Sequence, residues 1–83
     1  MLLFDLIKEK INKRTDAENI VLIDNSHLHT KHKFFDSSKL HLKIIIKSKK
    51  LKQMNKIDAH KEIFSILKDE MSKKIHALEI EIN

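Results

Sequence analysis

Six histidines and no cysteine set the chemistry open to this chain. An imidazole is neutral enough near pH 7 to ligate a metal and basic enough to carry a proton, so the placement of the histidines is the main functional information. His60 stands in Ala59-His60-Lys61 within a helical pattern, and His76 in Ile75-His76-Ala77-Leu78 at the head of a final alternating stretch. His27, His29, His32 and His41 lie upstream. Without cysteine there is no disulfide framework, no thiolate nucleophile, no zinc finger and no cysteine-only iron–sulfur cluster. No Ser-His-Asp motif, phosphate-cradling loop or paired carboxylates point to catalysis, so the chain reads as a non-enzyme. One metal reading joins His27, His29 and His32 with Asp24 or Asp36 as a zinc or nickel site, although that stretch has no evident scaffold.

The histidines need elements to position them. Leu3, Leu6, Ile7 and Ile11 recur at helical spacing with charges between them, predicting a first helix over residues 2–14. The β-branched run Asn19 to Asp24 predicts a strand, and Lys39 to Ser48, with Leu40, Leu42, Ile44 and Ile46 on one side, predicts a second. A polar, histidine-rich connection, Asn25 to Ser38, joins them; connections of this length are usually functional or mobile. Ile57, His60, Phe64, Leu67 and Met71 then follow an i, i+3, i+7, i+10, i+14 pattern, predicting one long helix with Asn55 or Asp58 as N-cap. His76, Leu78, Ile80 and Ile82 alternate with Ala77, Glu79 and Glu81 in a third strand.

The order α-β-β-α-β predicts a single α+β domain over residues 1–83. A hairpin and a helical crossover would build a small two-layer structure, with both helices on one face of a mixed three-stranded sheet. The open face would carry Lys39, His41 and Lys43 near Glu79 and Glu81, where cross-strand ion pairs can form. In this register His76 starts on the core-facing side at a strand end, where its ring could reach a surface groove; a packed histidine bonded to a backbone carbonyl is the alternative. His60 lies on the apolar stripe between Ile57 and Phe64 and reads as a structural, half-buried ring.

Charge and composition narrow the partners. Eighty-three residues bury only roughly 60–65% of the unfolded chain's surface, so the core is modest and no deep enclosed cavity is expected. Asp5, Lys8, Glu9 and Lys10 interrupt Met1-Leu2-Leu3-Phe4 before it can act as a signal segment, and no transmembrane run follows, so the expectation is cytoplasmic, with no membrane partner. Gly and Pro are both absent, which the abundance of Lys, Ile and Asn attributes to genomic compositional bias. The net charge is +5, and Lys39 to Lys56 carries seven lysines and no acid. Such a run can follow a phosphate backbone, with Lys47, Lys49, Lys50, Lys52 and Lys56 as the nucleic-acid candidates; a solvated strand face is the plainer reading.

With the elements in place, the chain resembles the BolA family over nearly its whole length. The matching fragments are the loop Ser26-His27-Leu28-His29-Thr30-Lys31-His32, the strand start His41-Leu42-Lys43-Ile44, the helix head Ala59-His60-Lys61 and the last-strand His76-Ala77-Leu78. The spacing from His60 to His76, with Leu67 and Glu70 between them, is the most specific part. Two departures stand out: the family's Phe-x-Gly before the helix is Leu51-Lys52-Gln53 here, and Ala59 replaces the usual Arg. The resemblance implies a fold like a type II KH domain and two roles. In the first, the chain is a monomer alone and a heterodimer with a monothiol glutaredoxin, supplying His76 and a loop histidine, His29 or His32, to a bridging [2Fe–2S] cluster that glutaredoxin cysteine and glutathione complete, in iron–sulfur assembly or iron regulation. In the second, it binds DNA as a transcriptional regulator of stress and morphology genes, through the lysine run and a helix-turn-helix over residues 49–71. Arginine, the commonest reader of guanine, occurs only at Arg14, and a Gly-x-x-Gly clamp is impossible without glycine, so lysines alone would bind without sequence preference.

Overall fold

The computed structural model describes residues 2–26 and 40–83. Helix α1 (Leu3–Arg14) is followed by strands β1 (Asn19–Asp24) and β2 (Leu40–Lys47). Three helical pieces come next, α2 (Lys49–Gln53), α3 (Lys56–Ile66) and α4 (Lys68–Lys73), before strand β3 (Ile75–Ile82). The sheet order is β1-β2-β3, with β1 antiparallel to β2 and β2 parallel to β3. A parallel neighbour demands a crossover, and α2 to α4 provide it. The α+β class and the mixed sheet are those expected from the sequence.

Period-two alternation makes the sheet one-sided. Leu42, Ile44 and Ile46 of β2 are buried, with Ile20 across the antiparallel pair and the half-buried Leu78, Ile80 and Ile82 across the parallel one. Helix α1 turns Ile7 and Ile11, both fully buried, onto this core. Asp5 in its first turn and Lys13 and Arg14 in its last suit the helix dipole. It ends at Thr15, whose backbone is extended and whose hydroxyl donates to the Ile11 carbonyl at 2.8 Å.

The crossover departs from expectation in two ways. The single long helix is broken at Leu67 (φ −100°, ψ 21°) into α3 and α4, and α2 stands apart before them. The buried stripe is also shifted: of the expected row Leu67 is fully buried and Met71 packs against the core, but Ala59, Ile63, Ile66 and Glu70 face inward with them, while Ile57 is 68% exposed and Phe64 39%. Residues 57, 60, 64, 67 and 71 and residues 59, 63, 66 and 70 are both helical rows. Hydrophobicity alone favours the first, because the second contains a small residue and a charged one. Glu70 is tolerated inside because Lys10 of α1 places Nζ at 2.9 and 2.8 Å from its two carboxylate oxygens. As anticipated, Asn55 caps α3; its side chain accepts the Asp58 N–H at 2.8 Å and returns an amide hydrogen bond to Oδ2 of Asp58 at 2.9 Å. Among the described residues, no helix is long and apolar enough to cross a membrane.

Candidate metal centre and basic surface

The site begins with a backbone irregularity. Leu40 pairs with Ile75 and His41 with Ala77, so β3 holds one residue more than β2 over this step, and that residue is His76. A bulge reverses the alternation locally. Ile75 is buried, His76 and the following Ala77 are both exposed, and Leu78 returns to the core side. His76 is therefore not on the core-facing side, as strict alternation predicts, and the packed-histidine alternative falls with it. The bulge turns the ring onto the open face of the sheet, where it meets His41 with ring centroids 5.0 Å apart and planes tilted by 45°.

His41 is held from the end of β1. Its backbone N–H donates to Ser26 Oγ at 3.1 Å and its carbonyl accepts the Asn25 N–H at 2.8 Å. Ser26 is itself fixed by its N–H donating to Asp24 Oδ1 at 2.9 Å, a short Asx-type turn. Leu40 donates its N–H to the Lys74 carbonyl at 2.8 Å, tying the start of β2 to the residue before β3. Ser26 and Leu40 thus both sit at the end of the sheet that carries His41 and His76. The loop candidates His27, His29 and His32, with Asp36 and Lys39, lie outside the described residues. A cavity of about 190 Å³ opens beside His41, between Asn25, Leu42 and residues Ala77 to Glu79.

The remaining open-face charges pair as the sequence suggested. Lys43 Nζ lies 3.2 Å from a Glu79 carboxylate oxygen and 3.7 Å from one of Glu81. The Glu79 carboxylate, with Glu81 behind it, holds the Lys43 ammonium above its ordinary pKa. Among the described residues, no group of three or more His, Asp or Glu side chains comes together to hold a metal. An ion bound here would take imidazoles from this chain and complete its coordination elsewhere.

The structure divides the lysine run. Lys43 belongs to the open face, and Lys47 lies 3.8 Å from Glu18. Lys49, Lys50 and Lys52 crowd the exposed surface of α2, with Lys56 opening α3. Ser48 starts α2 by accepting the Leu51 N–H at 3.2 Å, while its hydroxyl donates to Asp16 Oδ1. Asp16 Oδ2 also accepts the Lys50 N–H at 3.3 Å. The Ser48 hydroxyl, more than the Lys50 amide, holds the Asp16 carboxyl below its ordinary pKa. A helix of five residues rich in lysine is thereby anchored to the loop after α1. His60 is half-buried on α3 and lines a cavity of about 430 Å³ with Leu51, Met54, Ala59, Ile80 and Ile82, rimmed by Lys52 and Lys56. It is not brought together with His76, which lies at the other end of β3. Sequence reasoning placed His41 on the open face but gave it no role; its phase with Lys43 was the available signal, and the bulge that completes the pair had none.

The family profile for BolA-like proteins matches residues 11–83. A DNA-binding transcriptional regulator BolA of Haemophilus influenzae is 30% identical over 77 residues, spanning 93% of this chain and 72% of that protein. The UV-induced protein uvi31 of Schizosaccharomyces pombe is 26% identical over 92% of this chain and 78% of its own length. Among solved structures, the BolA domain of SufE1 from Arabidopsis thaliana superposes with a TM-score of 0.79 at 28% identity, covering 95% of this chain and 87% of that one. BolA1 from the same plant gives 0.78 at 27% identity, covering 94% and 86%.

Proposed function

Because this chain belongs to the BolA-like protein family, we propose that it acts as the histidine-donating partner of a monothiol glutaredoxin, sharing a bridging [2Fe–2S] cluster completed by glutathione. The observation that carries this reading is the bulge that turns His76 outward at the end of the sheet. A ligand shared with another protein must be exposed and held in a defined direction, and His76 is both. The donor set suits the group, since imidazole can replace thiolate on one iron, raising the potential and making ligation pH-sensitive. A chain without cysteine needs a partner to supply the thiolate. His76 is the assigned ligand, and His29 or His32 the second, from the segment that leaves Ser26 and returns at Leu40.

The test is co-expression with a monothiol glutaredoxin, anaerobic purification, and visible absorption and circular dichroism beside the glutaredoxin alone. A one-to-one complex with its own cluster spectrum, reverting to that of the glutaredoxin in His76→Ala, is the expected result. An unchanged spectrum in His76→Ala would sink the assignment.

A second reading is favoured by a separate observation, the exposed Lys49, Lys50, Lys52 and Lys56 around α2. The name of the Haemophilus influenzae relative, a DNA-binding transcriptional regulator, points the same way. In this role the basic end of the molecule contacts phosphates, and duplexes of unrelated sequence bind alike. A sequence preference that survives high salt would contradict it.

A further inference from the structure

We propose that His41 and His76 together form a two-imidazole site for a divalent transition ion, of the zinc, nickel or cobalt class, on this chain by itself. It shares His76 with the cluster reading but does not rest on it, since no glutaredoxin is involved. A zinc–nitrogen bond of about 2.0–2.1 Å, plus about 1.1 Å from ring nitrogen to ring centre, sets each centroid about 3.2 Å from the ion, and two rings at the tetrahedral angle then stand about 5.2 Å apart. The centroids of His41 and His76 are 5.0 Å apart, and the 45° tilt keeps the rings from stacking face to face.

The surroundings fit this use. His41 faces Ala77 directly across the parallel pair, and the methyl group of Ala77 leaves room over the strand for the neighbouring His76 ring. His41 is fixed at its backbone by Ser26 and Asn25, and His76 by the bulge, so bringing the two rings together costs little further ordering. The carboxylates further along the face, Glu79 and Glu81, are turned to Lys43, so the donors offered are nitrogens, which suit borderline ions rather than calcium or magnesium. With two protein ligands, the other coordination positions are left to water or to a second molecule, and the ion exchanges readily.

The experiment uses the full chain, stripped with chelator, and Zn²⁺ alone near neutral pH, followed by calorimetry and by NMR of the histidine ring protons. One ion per chain should bind, with the largest shifts at His41 and His76. His41→Ala and His76→Ala should each weaken binding about tenfold or more, because each removes half of the protein donors. His60→Ala should leave it unchanged. Since His41 is half-buried, His41→Gln and far-UV circular dichroism separate loss of the site from loss of the fold, and the wild-type ring shifts report the ligands without any substitution. Unsaturable binding, ring shifts confined to other histidines, or an affinity lost in His29→Ala or His32→Ala but kept in folded His41→Gln would each overturn the site. None of these outcomes touches the glutaredoxin experiment, whose cluster spectrum is read separately.

Discussion

His76 owes its exposure to one extra backbone residue in β3, and its ring meets the half-buried His41 on the open face and not the core. His76→Ala should therefore change stability by less than about 0.5 kcal/mol, as substitutions on an exposed surface usually do. Urea unfolding followed by far-UV circular dichroism checks this, and a larger loss would mean that the cluster test reads folding instead of ligation. Asp16 is a different kind of residue, exposed yet tied to Ser48 and to the start of α2. Its carboxyl lies below the ordinary value of 3.8 in the folded chain, so near and below that value the unfolded chain binds more protons. The stabilisation is complete above the ordinary value and is lost as pH falls through the lowered one. Asp16→Asn should flatten the acid limb of the stability profile below about pH 4, converging with the wild type at the acid end. An acid limb unchanged in the variant would remove Asp16 from the account.

At the scale of elements, the inward row of α3 and α4 is the point on which hydrophobicity and packing disagree. Ile63→Ala should cost about 2–5 kcal/mol, because it leaves a cavity in a fully buried position, whereas Phe64→Ala should cost less than about 1. Thermal or urea unfolding of the two variants decides the phase of the helix, and the reverse order would restore the row through Ile57 and Phe64. Helices α1 and α4 are joined by Lys10 and the buried Glu70. Removing the lysine alone strands a carboxylate in the core. Because the Lys10 side chain is itself a third exposed, Lys10→Met should cost about 1–2 kcal/mol, below the 3–5 of a fully buried pair. A double-mutant cycle with Glu70→Gln measures the coupling directly, and coupling near zero would mark the pair as ornamental.

At the scale of the molecule, β2 and β3 run side by side, with the histidine pair where they start and the lysines of α2 where they finish. Eight residues of strand put roughly 25 Å between the two ends, well beyond the screening length of about 8 Å in physiological salt. The two surfaces should act independently. Lys49→Ala, Lys50→Ala and Lys52→Ala combined should lower the salt slope of any DNA affinity by up to about one per lysine, while leaving the cluster spectrum with glutaredoxin unchanged. A cluster spectrum altered by these three substitutions would mean that the ends communicate.

The elements were readable because alternation and helical spacing are properties of neighbouring residues: β1 has the expected bounds, and β2 ends at Lys47, one residue before the expected Ser48. The family was readable because His60, His76, Ala77 and Leu78 keep a spacing that is itself linear in the chain. Neither kind of signal reports which helical row turns inward, and counting apolar residues placed Leu67 correctly but put Ile57 and Phe64 inside in place of Ala59, Ile63 and Glu70, because it cannot foresee Lys10 reaching Glu70, sixty positions away. Asp16 and Ser48 meet across thirty-two positions for the same reason. The bulge at His76 is subtler, since nothing in Ile75-His76-Ala77 marks it locally. Pairing β3 to β2 sets Ile75 and Leu78 inward three residues apart, which strict alternation cannot satisfy, and the spare residue is pushed outward with its ring beside His41. The amino-acid sequence alone thus determined the elements, their order and the histidine chemistry on offer. Contacts between distant segments decided which side chains share a face, because burial is a property of the assembled layers and not of any one strand or helix.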